Sequence, residues 1–301
     1  MATTEAPPFP RFKSQESQAR FMAAYDAALA AWPVAYEAID VPTRLGTTRV
    51  IASGAPGAPA LLLLPSFAGG AAVWRLNIAA LSQGHRAYAV DVIGQPGKSF
   101  ARRRIRGRRE YARWLCDLMD GLGIRRASIV GCSFGAFLAV NQAVEAPDRV
   151  ERMVLISPAG TFASQWWKLT YAMRIRAPIL KLARRLTRSR RRPGPADLGA
   201  RALPRDPKWA ALIGVTMAES PRVTVTNASV FDTRRLRRIR APTLLLIGSR
   251  ETLYEPGAML ALARSRMPRL ETGMVPDADH IAAMAQPDAV NERILAFLGN
   301  A

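Results

Sequence analysis

The chain has 301 residues, of which 49% are hydrophobic and 22% charged, fractions that exclude a disordered, collagen-like or membrane-spanning protein. Its net charge of +20 arises from 43 Lys and Arg against 23 Asp and Glu. Because no nucleic-acid-binding motif accompanies this charge, we interpret the arginine-rich runs 102–109 and 184–192 as solvated surface and expect no specific nucleic acid partner.

The first third of the chain predicts one helix followed by several strands. Apolar residues at helical spacing indicate a helix over about 16–32. The run 60–64 is wholly apolar, which is typical of a strand buried on both faces. Short apolar or alternating runs predict three more strands, at 34–41, 47–52 and 87–91. A helix at 74–81 precedes the last of these strands.

Beyond residue 100 strands and helices alternate regularly. The predicted strands are 127–130, 153–157, 243–247 and 270–275, and the predicted helices are 109–122, 134–144, 257–265 and 289–298. Such alternation is typical of an α/β protein with a mostly parallel central sheet flanked by helices.

One segment interrupts this alternation. Between residues 159 and 225 strand signals are missing, and apolar residues recur at helical spacing among many arginines. We interpret 159–225 as an inserted helical cap, and 1–158 together with 226–301 as the core. Since the insertion follows a central strand, we expect the cap above the carboxyl edge of the sheet, where open α/β sheets bind ligands. Trp166 and Trp167, at its start, are candidate substrate contacts.

A G-x-S-x-G motif joins the predicted strand 127–130 to the next predicted helix. Its residues are Gly131, Ser133 and Gly135. A nucleophile elbow requires this strand–turn–helix context, because the serine occupies a strained turn and flanking Cβ atoms would collide with the neighbouring strand and helix. The context therefore predicts Ser133 as a nucleophile. Cys132 is interpreted as a small buried neighbour of the elbow.

A serine nucleophile needs a histidine base, and the chain has two histidines. His85 precedes the strand 87–91, which places it at the amino edge of the sheet, and we interpret it as a surface residue. His280 follows the last predicted strand and so lies on the same edge as Ser133. Position and elimination predict His280 as the base.

The third member of a triad must orient the histidine and balance its charge. In folds with this elbow the acid lies between the serine and the histidine in the chain, after a strand. No Asp occurs between Asp232 and Asp277. Glu251, directly after the strand 243–247, is therefore the predicted acid, and Glu255 is a weaker alternative.

An oxyanion hole needs two backbone N–H groups aimed at the developing charge. The residue after the nucleophile, Phe134, supplies one. The small residues in the turn 64–70, after the third strand, allow the backbone to approach a substrate, and Phe67 is the predicted second donor. Asp91 ends a strand, and we expect it to hold the loop that follows.

The chain resembles the α/β-hydrolase superfamily over nearly its whole length. The motifs that match are at 91–99, 131–135, 242–248 and 279–280. Within that superfamily the chain is similar to bacterial carboxylesterases with a Ser-Glu-His triad. The resemblance implies an α/β-hydrolase fold and a small-molecule ester substrate, with no metal or organic cofactor. Related proteins often have His-Gly where this chain has Pro65-Ser66, and a second Gly in place of Ala136; both departures leave the backbone donors available.

Two alternatives to ester hydrolysis remain open. One is another serine-dependent reaction of the same fold, on a lactone, an amide or a carbon–carbon bond, because fold does not fix substrate. The other is a non-catalytic protein that uses its basic surface to bind an anionic partner. Hydrolysis of a short chromogenic ester that depends on Ser133 distinguishes the esterase from the binding protein.

The compartment is predicted from the cysteines and the N-terminus. Cys116 and Cys132 are too few for a disulfide framework, so we expect free thiols in a reducing compartment. Residues 1–13 lack the pattern of a signal peptide, and no apolar run approaches the ~20 residues that span a bilayer. We therefore expect a cytoplasmic protein without a membrane span.

Overall fold

The computed structural model describes residues 9–67, 69–164, 207–219, 221–223, 228–267 and 269–299. Across these residues nine strands form one sheet in the order β1-β2-β4-β3-β6-β7-β8-β9, with β5 paired to β2 at one side. The strands are β1 Glu37–Thr43, β2 Gly46–Ser53, β3 Ala60–Leu64, β4 Arg86–Val90, β5 Phe100–Ala101, β6 Ala127–Cys132, β7 Val150–Ile156, β8 Thr243–Gly248 and β9 Leu270–Val275.

Helices follow most of these strands. The α-helices are α1 Gln15–Leu29, α2 Ile78–Leu81, α3 Arg108–Gly121, α4 Phe134–Glu145, α5 Pro207–Glu219, α6 Thr233–Arg237, α7 Pro256–Arg266, α8 Ala282–Ala285 and α9 Pro287–Leu298, and two 3-10 helices lie at Ala71–Leu76 and Pro147–Arg149. None of the helices in the described part of the chain is long and apolar enough to cross a membrane.

The sheet is parallel except at its N-terminal side. Each neighbouring pair is parallel in the row of strands β4, β3, β6, β7, β8 and β9. In contrast, β2 is antiparallel to β1, β4 and β5. The prediction of a mostly parallel sheet is therefore confirmed. The edge strand β1 begins and ends later than the predicted strand 34–41 and includes Pro42; a proline is tolerated there because an edge strand needs fewer N–H donors.

Helices cover both faces of the sheet, as alternate side chains of the central strands require. In β3, Leu62 and Leu64 pack with residues of α3, α4 and α7 on one face. Leu61 and Leu63 pack on the other face with residues of α1, α2, α8 and α9. Because each face is buried, the apolar run of β3 reads as continuous rather than alternating. This burial fixes the carboxyl ends of the parallel strands in one rigid edge.

Little of the predicted cap falls within the described residues. Of the segment 159–225, residues 165–206, 220 and 224–225 lie outside them, and so do the candidate contacts Trp166 and Trp167. The described helix α5 packs against α1, with Trp209 and Leu212 in the same apolar cluster as Phe21. The cap boundaries remain a prediction.

A buried hydrogen bond between α3 and β2 gives a test of this packing. The Trp114 indole Nε1–H donates to Thr48 Oγ1 at 2.8 Å, and both residues are fully buried. Thr48→Val keeps the shape and removes the acceptor, so the stranded indole N–H should lower the free energy of unfolding by about 1–3 kcal/mol in urea titrations. Thr47→Val, one residue away and only partly buried, is the matched control. Equal stability of the two variants would contradict the buried hydrogen bond between Trp114 and Thr48.

Candidate active site

Ser133 lies in a sharp turn between β6 and α4. Its backbone has φ 51° and ψ −107°, a region that residues with side chains seldom adopt. The turn continues the sheet, because the Ser133 N–H donates to the Ile156 carbonyl at 2.8 Å. A helix then begins immediately at Phe134. The serine is thereby held at the carboxyl edge of the sheet, with 8% of its surface exposed.

Close backbone approach explains the two glycines of the motif. A Cβ on Gly131 would lie 2.4 Å from the Gly135 carbonyl oxygen, and a Cβ on Gly135 would lie 2.0 Å from the Leu64 carbonyl oxygen. Real Cβ atoms are essentially never this close to another heavy atom. Glycine at both positions therefore lets the turn bring the end of β3 against the start of α4 without displacing either backbone.

His280 lies in the loop that follows β9, and its ring contacts Ser133. Its Nε2 lies 2.9 Å from Ser133 Oγ, and its Nδ1 lies 2.8 Å from Glu251 Oε2. A carboxylate only accepts hydrogen bonds, so Nδ1 carries the proton and the neutral ring presents an unprotonated Nε2. In this tautomer Nε2 accepts a hydrogen bond from the Ser133 hydroxyl, which is the arrangement of a nucleophile with its general base.

Glu251 occupies the loop directly after β8, and its side chain is fully buried. Oε2 faces His280, while Oε1 accepts the backbone N–H groups of Thr252 at 2.8 Å and Leu253 at 2.9 Å. Burial alone would raise the pKa of the carboxyl, but the His280 ring and the two N–H donors together lower it. Glu251 is therefore an ionised, fixed acceptor for the imidazole.

The two residues considered as alternatives lie elsewhere in the fold. Glu255 accepts the N–H groups of Gly257 and Ala258 and caps the N-terminus of α7. His85 precedes β4 at the amino edge, as expected, but it is 4% exposed rather than a surface residue. Its ring contacts the Leu81 carbonyl at the end of α2, and this packing explains the burial.

The two candidate oxyanion donors flank the nucleophile. Phe134 is the first residue of α4, where a backbone N–H has no acceptor within the helix. Phe67 lies in the loop after β3, and β3 pairs in parallel with β6 so that Leu64 is opposite Gly131. Among the described residues no hydrogen bond uses the Phe67 N–H. Both N–H groups thus lie on elements adjoining Ser133.

Cys132 precedes Ser133 and is 2% exposed. Burial, and then the negative charges of Glu251 and Asp279, raise the pKa of its thiol to about 12. The thiol therefore keeps its proton and is a poor nucleophile.

Two buried hydroxyls near the acid were not foreseen from the sequence. The Tyr254 hydroxyl is buried and interacts with the Ser157 hydroxyl and with Glu251. Burial, and then the charge of Glu251, raise the pKa of the Tyr254 phenol well above its usual range. Ser157 follows β7 with φ 44°. Neither position belongs to a motif, so only the folded chain could bring them to attention.

Comparison with known proteins identifies the family. Residues 61–293 match the model of the alpha/beta hydrolase family. This chain belongs to that family. An α/β-hydrolase fold and hydrolase activity follow from the membership.

Two relatives of this α/β-hydrolase are carboxylesterases from Bacillus subtilis. Carboxylesterase YbfK is 34% identical over 306 residues, covering 96% of each chain. The crystal structure of carboxylesterase CesB (YbfK) has a TM-score of 0.81 at 33% identity and covers 95% of this chain and 99% of that one. The crystal structure of naproxen esterase (carboxylesterase NP) has a TM-score of 0.80 at 30% identity, with coverage of 95% and 99%.

The contact between Gly135 and Leu64 can be tested by substitution. Gly135→Ala should cost about 1–3 kcal/mol of stability, because the new methyl group must displace the backbone of β3. The matched control is Gly214→Ala, which is also on a helix but has nothing within 4 Å of the added Cβ. That change should be neutral or stabilising by about 1 kcal/mol from helix propensity. Urea unfolding measures both, and a stable Gly135→Ala variant would contradict the close contact.

Proposed function

We propose that this α/β-hydrolase is a carboxylesterase whose catalytic triad is Ser133, His280 and Glu251. The observation that carries the proposal is the continuous hydrogen-bond path from Ser133 Oγ through both nitrogens of His280 to Glu251, with distances of 2.9 and 2.8 Å. Support for an ester as the substrate comes from the carboxylesterases that resemble the chain over nearly its whole length.

Acylation would begin at the Ser133 hydroxyl. His280 Nε2 takes the proton while Oγ attacks the ester carbonyl carbon, and the carbonyl oxygen becomes negatively charged. Backbone N–H groups of Phe67 and Phe134 would stabilise this oxyanion. Collapse of the tetrahedral intermediate breaks the bond to the alcohol oxygen, which leaves with the proton from Nε2. The product of this half-reaction is an ester on Ser133.

Deacylation would repeat these steps with water. His280 removes a proton from the water as its oxygen attacks the acyl carbon, and the bond to Ser133 Oγ then breaks. Oγ recovers the proton from Nε2, and the carboxylic acid is released. In both halves the ionised Glu251 keeps the ring in the productive tautomer and balances the imidazolium charge. Each step uses only groups of this chain and water.

The remaining parts of the proposal rest on the sequence and on the cysteines. We propose that the cap 159–225 borders the acyl pocket through Trp166 or Trp167, because the insertion follows β7, whose carboxyl end lies beside Ser133. A reducing compartment, the cytoplasm, is supported by Cys116 and Cys132, which are both free thiols.

Replacement of the nucleophile tests the reaction class. Ser133→Ala should lower hydrolysis of a short chromogenic ester by roughly 10³-fold or more while the protein stays folded, since the loss removes the acyl-enzyme route. Intact-protein mass measurement during turnover should reveal the acyl adduct on the parent protein and not on the variant. Activity that survives the substitution would refute Ser133. Activity on lactones or amides but not on esters would favour the alternative serine-dependent reactions.

Replacement of the two candidate acids tests the triad. Glu251→Gln should lower kcat by about 10²–10⁴-fold, because an amide can donate to Nδ1 and stabilise the wrong tautomer. Glu255→Gln is the control at the helix cap; we expect a small loss of thermal stability with kcat nearly unchanged. Steady-state kinetics and thermal melts of both variants give the answer. Equal losses of kcat would mean that the acid is misassigned.

A further inference from the structure

A buried carboxylate lies beneath the loop that follows β3. Asp91 comes directly after β4 and has no exposed surface. Its Oδ1 accepts the Tyr25 hydroxyl at 2.9 Å and the Ala71 backbone N–H at 2.7 Å, and its Oδ2 accepts the Lys98 backbone N–H at 2.7 Å. Burial raises the pKa of this carboxyl, and the three donors oppose the rise. A carboxyl group buried so deeply needs hydrogen-bond donors at both oxygens, and here they come from three separate segments.

One of the three segments carries the proposed oxyanion donor. We define the described residues 65–67 and 69–70 as the oxyanion loop; Phe67 is near its middle. The first end of the loop is fixed by β3 and by the contact between Leu64 and Gly135. The other end is fixed at Ala71, whose N–H is bound by Asp91. A loop held at both ends samples fewer conformations than one held at a single end.

The last residue of the oxyanion loop packs directly on the carboxylate and on Tyr25. Gly70 has φ 57°, and a Cβ there would lie 2.9 Å from Asp91 Oδ1 and 3.2 Å from the Tyr25 ring. Only glycine adopts this backbone conformation readily and leaves room for both neighbours. The loop is therefore seated on a surface that Asp91 and Tyr25 form together.

Tyr25 belongs to α1, which lies outside the range 61–293 matched by the family model. The ring is fully buried. Burial, and then the charge of Asp91, raise the pKa of the phenol well above its usual range, so the hydroxyl keeps its proton and donates. The helix is held on the core by an ion pair between Asp26 and Lys98. It is held to α5 by Glu219, which accepts hydrogen bonds from the Ser17 hydroxyl and the Arg20 guanidinium.

We propose that Tyr25 and Asp91 are positioning residues that hold the oxyanion loop, and with it the Phe67 N–H, in place for the oxyanion. The proposal rests on the function proposed above. Oxyanion donors must lie within about 2.7–3.1 Å of the developing charge, so a small displacement of the loop weakens transition-state binding. Contacts with the rest of the substrate are untouched. The two residues therefore act on kcat and leave KM nearly constant.

The direct test is Tyr25→Phe, which keeps the buried ring and removes the hydroxyl. We expect kcat for a short ester to fall about tenfold, less than the ~10²–10³-fold that removal of a whole donor costs, with KM within about twofold. Inhibition by a trifluoromethyl ketone, which adds Ser133 Oγ to its carbonyl and forms a stable oxyanion, should weaken by the same factor as kcat/KM. A purely structural role would not make these two losses equal.

The matched control is Ser53→Ala. It removes the buried hydrogen bond from Trp32 Nε1–H to Ser53 Oγ at 3.0 Å, which also joins the N-terminal segment to the sheet but does not touch the oxyanion loop. We expect a comparable loss in Tm for the two variants and an unchanged kcat for Ser53→Ala. If Tyr25→Phe keeps the parent kcat, if it changes KM alone, or if Ser53→Ala loses as much kcat, the proposal is overturned.

A second variant decides the question if Tyr25→Phe does not fold. Asp91→Asn has the same shape, keeps one acceptor oxygen and turns a donor toward the Lys98 N–H. It should lower kcat in the same manner, and a parent-like kcat would overturn the proposal. Where both variants fold, the double variant should lose less than the product of the single losses, because both act through one carboxylate. Ser133→Ala separates the two proposals: if it is active the triad fails, and if it is inactive while Tyr25→Phe is parent-like only the positioning role fails.

Discussion

The strained turn at Ser133 is the constraint on which the site depends. A serine with φ 51° persists only where the surrounding structure holds it there. That support comes from β7, which binds the Ser133 N–H, and from β3, whose end touches Gly135. The same contacts that force the turn also bring the start of α4 and the loop after β3 beside the hydroxyl. The contacts of Ser133 and Gly135 with β7 and β3 therefore both hold the strained backbone and bring the parts of the site together.

Backbone N–H groups donate to both buried carboxyl groups of this region. Glu251 accepts two backbone N–H groups and faces His280, and Asp91 accepts two backbone N–H groups and a phenol. Backbone donors are fixed by the fold and need no further ordering when the charge is present. The net effect on the pKa differs between the two, because His280 and the N–H donors together lower the pKa of Glu251, whereas burial outweighs the donors and raises the pKa of Asp91.

Much of this arrangement could be predicted from the sequence, because it depends on local patterns. Apolar runs and their alternation with helices predicted the parallel sheet, and G-x-S-x-G in its strand–turn–helix context predicted where Ser133 lies. The chain order of strands led to His280 and Glu251, which the structure brings together with Ser133. Contacts that no motif marks could not be predicted: neither the burial of His85 nor the hydrogen bond between Tyr25 and Asp91, 66 residues apart, produces a pattern in the sequence.

The range 61–293 matched by the family model does not correspond to the folding unit, because β2 pairs with β4. A fragment that starts at residue 61 would lack β1 and β2, and β4 would become an unpaired edge. It would also lose α1, which covers Leu61 and Leu63 of the neighbouring strand. Bare strand edges beside exposed apolar surface invite intermolecular β pairing. Expression of such a trimmed fragment would therefore yield aggregates rather than a smaller enzyme.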